Sequence, residues 1–448
     1  MNNSMQRTFF LILILISFQS LGQDKSAFSL SDAKAYALEN NQTILNSALD
    51  IESSVARKRE ILGMGLPQVG LTGSFNHFIN LPVQVVGANF INPNAGPDET
   101  IAFTAGTKFS SNGTLQANQL LFNGSYLVGV QVAKLYIDFQ QTLDTQTKEG
   151  VIFNVIQAYQ IAAVAKENIA FTDSMVLLTK EMVDKQQNFL ELGMMQQDDF
   201  DQLNYSLLTA ENAHVEASNQ YFNALTLLKM TMGYPIDNAI EIKQGSASLM
   251  LNSNISSSSL ENNVNLQVVE QQRLLNTYNL RNIQAGKLPV LNAFFSQQYN
   301  AYRNNFNFFA SEKWFPQTLW GLQLSIPIYS GGQRDAKIKQ AEIEIKKNDN
   351  SLLQLKENLT FQEAQAKNNL ANARQKLELQ QANIDLAQKI YKNSLIRKEI
   401  GQESSINVTQ KYNQVILAQA QYSGAQIEVL NAKLELEKLY NQILTNNK

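Results

Sequence analysis

Residues able to carry chemistry are few in this chain, and their spacing argues against catalysis. Histidine occurs twice, at His77 and His214. Glu211 and His214 stand at the i, i+3 spacing with which di-iron helical bundles hold metal, but such a site needs a second pair and further carboxylates. His77 falls in a segment that reads as strand, and the position matching His214 in the second half of the chain has no histidine. The pair therefore reads as an ordinary helical surface pair. Cysteine is absent, which excludes disulfides, thiolate metal sites and a lipid-modified N-terminal Cys. There is no Gly-rich phosphate loop, no Gly-x-Ser-x-Gly elbow and no Cys nucleophile. No catalytic, cofactor-binding or metal residue is assigned, and the chain does not read as an enzyme.

The elements must therefore build something other than an active site. Hydrophobic residues make up 44% and charged ones only 17%, so neutral amides carry much of the polar surface. A formal net charge of −3 offers no basic surplus to neutralise a phosphate backbone, which excludes a nucleic-acid partner. Residues 1–22 read as a secretory signal peptide: Arg7, the short apolar run Phe9 to Ile16, then Ser20-Leu21-Gly22. No later stretch approaches the roughly 18 apolar residues of a transmembrane helix. The exported chain is expected either to stay soluble or to enter a membrane as β-strands.

The chain matches itself. Leu38-Glu-Asn-Asn41 falls on Leu260-Glu-Asn-Asn263, and Leu66-Pro67 falls on Leu288-Pro289, both at an offset of 222. Leu192-Gly193 matches Ile400-Gly401, and Phe122-Asn-Gly124 resembles Tyr329-Ser-Gly331. Two copies of one unit are expected: residues 23–244 and 260–448, joined by a Ser/Asn-rich linker at 245–259.

Proline placement shapes each unit. Asp98 to Tyr234 and Ile328 to Lys448 contain none, so glycine alone punctuates the helices there. Apolar residues recur at Ile338, Ile345, Leu352, Leu359, Ala366 and Ala373, with Leu370, Leu377 and Ile384 interleaved. That 3-4 alternation is coiled-coil packing. A helix from Gly332 to Glu399 would run roughly 100 Å at 1.5 Å per residue, and Ser125 to Leu192 would match it. Such helices are too long and too rich in Gln and Lys for lipid, so they must cross an aqueous space. Gly193 and Gly401 mark hairpin turns, after which Gln196 to Met232 and Ser404 to Leu444 run back.

The clearest strand is Thr318 to Ile328, with Trp320, Leu322, Leu324 and Ile326 on a face that suits lipid and Gly321, Gln323 and Ser325 on one that suits water. Val290 to Tyr302, Gln68 to Ile79 and Lys108 to Phe122 are its candidate partners. Lengths near ten residues suit transmembrane β-strands. Four strands cannot close a barrel, and an open edge in hydrocarbon leaves unpaired backbone groups, so several chains must pool their strands.

Taken together, Ala35-Tyr-Ala-Leu-Glu-Asn-Asn-Gln42 through Leu66-Pro-Gln-Val69, the strand-to-helix signature Ile326-Pro327-Ile-Tyr-Ser-Gly331-Gly332 and the paired glycine hairpins resemble the TolC family of outer-membrane channels. The resemblance implies a mixed α and β membrane protein: four strands per chain, twelve in a homotrimeric β-barrel, continued by a long antiparallel coiled-coil α-barrel in the periplasm. It implies a passive export duct in the outer-membrane lipid, working with a periplasmic adaptor and an inner-membrane pump of RND or ABC type. By position it puts Leu192, Gly193, Ile400 and Gly401 at the periplasmic tip that adaptors grip. Family members often carry acidic side chains just inside that tip. Here the approach to Gly401 holds Lys389, Lys392, Arg397 and Lys398, and the carboxylates cluster at Asp198, Asp199 and Asp201 instead. The alternatives are the outer-membrane part of a type I protein secretion system and, in a different class, a periplasmic coiled-coil structural protein that forms no channel.

Overall fold

The computed structural model describes residues 26–251 and 259–444; the expected signal peptide at 1–22 lies outside them. In chain order the first elements are β1 (Ser26–Phe28), α1 (Leu30–Asn40), α2 (Gln42–Gly63), β2 (Gln68–His77), β3 (Val83–Gly87), β4 (Thr100–Thr104) and β5 (Phe109–Asn123). Then come α3 (Gly124–Glu191), α4 (Gln197–Met232), β6 (Ile240–Ile242), α5 (Ser246–Leu251) and α6 (Val264–Ala285). The last are β7 (Val290–Arg303), β8 (Phe315–Ser325), α7 (Gln333–Glu399) and α8 (Ser405–Leu439). Two compact units are present.

One unit comprises the chain up to Ile51, Phe139–Gln271 and the chain from Asp349 onward. Helix α1 starts in a capping box: the Ser29 hydroxyl accepts from the Asp32 N–H at 3.2 Å, and the Asp32 carboxylate accepts from the Ser29 N–H at 2.9 Å. Its core gathers Ile152 and Tyr159 of α3, Leu228 and Met232 of α4, Ile242 of β6, and Leu430 and Leu434 of α8. A second cluster joins all four long helices, with Met182 (α3), Leu203 (α4), Tyr391 (α7) and Tyr412 (α8) buried in it. A third packs Ala366, Leu370 and Ala373 of α7 on Val429, Ala432 and Leu436 of α8. Of the residues expected on the 3-4 seam, Leu359, Ala366, Leu370, Ala373 and Ile384 are buried, and the two alanines let the helices approach closely. Inside the stretch read as a linker, Ser246 is buried and opens α5: its N–H and hydroxyl donate to Glu167 at 2.8 and 2.6 Å.

The other unit comprises Glu52–Asp138 and Gln272–Asn348. Its sheet runs β2-β5-β7-β8, antiparallel throughout, with β2 and β8 as free edges. Val69, Ala117, Phe295 and Trp320 lie in one row across it, so the register is fixed along all four strands. Strands β3 and β4 pair separately; no strand is expected there from the sequence. The register shifts between Leu120 and Phe122, a bulge just before the chain turns into α3.

Two elements depart by more than two residues from the bounds read in the sequence. Strand β8 is Phe315–Ser325 rather than Thr318 to Ile328, so Ile326 lies in the segment after it. Pro327 ends the ladder because it has no N–H, whereas Pro316 is tolerated because β8 is an edge. Helix α8 stops at Leu439 rather than Leu444, because Asn441 takes a left-handed conformation (φ 54°) and the Gln442 N–H reaches back to Glu437 at 2.8 Å. Among the described residues no helix is long and apolar enough to cross a membrane.

Candidate functional site

Strand pairing sorts the sheet into two chemical faces, because directly paired residues share a face and neighbours along a strand alternate. One face carries Val69 and Leu71 (β2), Leu115 (β5), Phe295 (β7), and Trp320, Leu322 and Leu324 (β8). Trp320 is 76% exposed and Leu322 62%, so these side chains stand unburied by their own chain. The opposite face is lined by amides and hydroxyls such as Asn112, Gln116, Gln298 and Gln323. Gln116 donates to Asn118 at 3.2 Å and Gln298 to Asn300 at 2.7 Å along that face. The one Lys, Arg, Asp or Glu in the four strands is Arg303, at the end of β7. An apolar face backed by an uncharged polar face divides lipid from water.

The strand-to-helix crossovers use glycine for two different reasons. Gly331 and Gly332 both have positive φ (60° and 76°), a consecutive left-handed pair that side chains resist. Gly124 is instead needed for space: a Cβ there would lie 2.6 Å from Leu288 and 2.9 Å from the Ala285 carbonyl. Pro327, Gly331 and Gly332 therefore act together to stop β8 and start α7.

The ends of the long helices are closed by one device used twice. Gly193 (φ 69°) donates to the Leu190 carbonyl at 2.9 Å while Met194 reaches Phe189 at 2.9 Å; Gly401 (φ 74°) donates to Lys398 at 3.0 Å while Gln402 reaches Arg397 at 2.8 Å. Both are Schellman caps. Leu192 and Ile400, beside the glycines, are 73% and 63% exposed. Asp198 and Asp199 sit in the first turn of α4, and Arg397 and Lys398 in the last turn of α7, each sign where the helix dipole favours it. Asp201 accepts from Gln197 at 2.8 Å, and Lys389 and Lys392 are exposed on α7. The ion pair that bridges helices here is another: Lys185 of α3 meets Glu399 of α7 at 2.8 Å, and it also meets Glu181 of its own helix at 3.0 Å. Those two hydrogen bonds, the Glu399 one foremost, raise the Lys185 pKa.

His214 turns its ring nitrogen toward the Thr172 hydroxyl at 3.3 Å, a contact between α4 and α3, while Glu211 is exposed. His77 stacks on Phe109 with ring centroids 4.4 Å apart. Sequence reasoning missed Glu149, which is 2% exposed in α3 with one carboxylate oxygen unpartnered. Burial pushes its carboxyl up to about 7, with Lys438 pulling the other way. No local pattern marks it, since its environment comes from distant helices.

Residues 255–442 match the family described as Outer membrane efflux protein. The chain is 23% identical to the "Proteases secretion protein PrtF" of Dickeya chrysanthemi, over 96% of this chain and 89% of the relative. It is 23% identical to the "Outer membrane protein TolC" of Salmonella enteritidis, over 74% of this chain and 65% of the relative. Its fold is that of the Campylobacter jejuni CmeC outer membrane channel, with a TM-score of 0.67 at 14% identity, covering 92% of this chain and 85% of that one. Channels of this kind work as trimers alongside adaptor and inner-membrane pump proteins. With a segment that matches the outer membrane efflux protein family, a fold shared with solved outer-membrane channels and a sheet that has an apolar and an amide face, this chain is similar to the TolC-like outer-membrane efflux channels.

Proposed function

We propose that three copies of this chain close one twelve-stranded barrel by pairing the free edge of β8 with the free edge of β2 in the next copy. The observation that carries this is the open four-stranded sheet with one apolar and one uncharged polar face. Left open in hydrocarbon, each edge would strand backbone N–H and C=O groups at several kcal/mol apiece. The amide face then lines a water-filled lumen, and Trp320, Leu322 and Leu324 face lipid. The duct itself is passive. Energy comes from an inner-membrane pump of RND or ABC type, coupled through a periplasmic adaptor that grips Leu192-Gly193 and Ile400-Gly401. Asp198, Asp199, Asp201, Lys389 and Lys392 are the charges available at that entrance.

A second reading, the outer-membrane part of a type I protein secretion system, is favoured by one observation: the full-length likeness to a protein named for protease secretion. Both readings share the channel. Purified protein is expected to run as a heat-modifiable trimer, to fractionate with outer membranes and to give discrete conductance steps in planar bilayers. A soluble monomer without conductance would overturn the channel. Identifying the pump that co-purifies separates efflux from protein secretion.

A further inference from the structure

The segment 304–314, between β7 and β8, is closed by contacts of its own. Arg303 ion-pairs with Glu312 at 3.0 Å and donates to the carbonyls of Tyr302 and Lys313, each at 3.1 Å. Asn307 also donates to Glu312. The Arg303 side chain is only 6% exposed, and its guanidinium lies 6.0 Å from the ring centre of Phe308. Strand pairing sets Arg303 opposite Phe109 and Phe109 opposite His77, on the same face as Leu71 and Trp320. Phe308 packs edge-on against Phe75 at 5.4 Å, and Phe306 meets Phe75 at 5.8 Å and Phe109 at 6.0 Å. The loop is therefore folded down onto the apolar face of the sheet, at the strand ends away from the helices, and away from the amide face. Beside this pinned cluster Phe309 is 94% exposed.

We propose that the loop 304–314 is a membrane-interface anchor, in which Phe309, with the Phe306 ring 6.5 Å away and Lys313 over the Phe315 ring at 5.9 Å, seats at the boundary between headgroups and acyl chains of the outer leaflet. Lipid is the occupant because the aromatic cluster continues the apolar face that Leu71 and Trp320 already present to hydrocarbon. The chemistry agrees: aromatic rings with a neighbouring cation are the pairing that suits a boundary wet on one side and apolar on the other. Arg303 would be costly on such a face if left bare, and Glu312 neutralises it while Phe308 covers it. The proposal rests on the channel reading, which puts the apolar face in lipid.

Trp314 and Trp320 are the only tryptophans, so single reporters are simple to build. In one chain Phe309→Trp is combined with Trp314→Phe and Trp320→Phe; in the other, Trp314→Phe leaves Trp320 alone. Each is reconstituted as a heat-modifiable trimer in vesicles of phosphatidylcholine brominated either near the headgroup or deep in the acyl chain. The reporter at 309 is expected to lose emission chiefly with the shallow bromine, and Trp320 chiefly with the deep one. If bromine at neither depth quenches position 309 while Trp320 is quenched, the anchor is wrong and the barrel stands. If neither position is quenched, the apolar face is not in lipid, and anchor and channel reading fall together.

Discussion

The side-chain amide of Asn41 donates to the backbone carbonyl of Thr231 at 2.8 Å, tying the start of α2 to the end of α4. Its oxygen meanwhile accepts from the Thr43 N–H at 2.8 Å. At the matching position 222 residues on, Asn263 donates to Leu439 at 3.0 Å and accepts from Asn265 at 3.0 Å. Each asparagine caps one helix and holds the last turn of another, a double task that neither Ala nor Asp performs.

Replacing either asparagine by Ala is therefore expected to destabilise the protein by about 1–3 kcal/mol, since a helix start and a carbonyl lose their partners together. Asn41→Asp should recover part of the loss, because the cap survives and only the donor is gone. Denaturant titration of helical circular dichroism measures both. Wild-type midpoints in both alanine variants would show the pairings to be incidental.

Leu322→Lys or Leu324→Lys puts a charge on the apolar face, at a cost of about 2–4 kcal/mol near the bilayer midplane. Heat-modifiable trimer in the outer membrane should fall sharply. Gln323→Lys, between them on the amide face, should assemble normally. The reverse pattern would invert the face assignment.

Glu149 yields a pH dependence. Its carboxyl titrates at about 7 in the folded chain against an ordinary 4.5, so the folded state holds its proton to higher pH than the unfolded state does. Its contribution is most favourable below about 4.5, declines as pH rises toward 7, and is flat above, a loss of at most about 3 kcal/mol. Glu149→Gln should remove that decline, stabilising the protein at pH 8 and changing little at pH 4.5. Parallel stability–pH curves for the two proteins would refute the assignment.

The absence of cysteine makes the helical hairpin ends directly testable. Leu192→Cys and Ile400→Cys, each carrying a thiol-reactive photo-cross-linker, should cross-link to the periplasmic adaptor on illumination of cells, while Ala310→Cys with the same reagent, in the loop between β7 and β8, should not. Leu192→Asp combined with Ile400→Asp should abolish co-purification of the adaptor and leave the trimer intact. Undiminished co-purification would move the contact elsewhere.

Much of this protein is written in local chemistry. The proline-free stretches, the 3-4 seam and the alternation around Trp320 suffice to indicate long paired helices and a membrane strand, because each depends on residues a few positions apart. Gly193 and Gly401 are legible for the same reason: a left-handed turn after a long helix selects glycine within a single residue. Asn441 performs the same cap without a glycine, and that is why α8 is misread by one turn from sequence.

The tertiary structure alone decided whatever depends on who meets whom. That Phe75, Phe109, Phe306 and Phe308 form one cluster follows from a strand register that sets Phe109 opposite Arg303, far away in the sequence. That Glu149 is buried and Lys185 bridges to Glu399 follows from helix packing that no local period encodes. Local spacing sets which face of an element is apolar. The partner that covers that face, or the lipid that does so where the chain supplies none, emerges only when the elements are assembled.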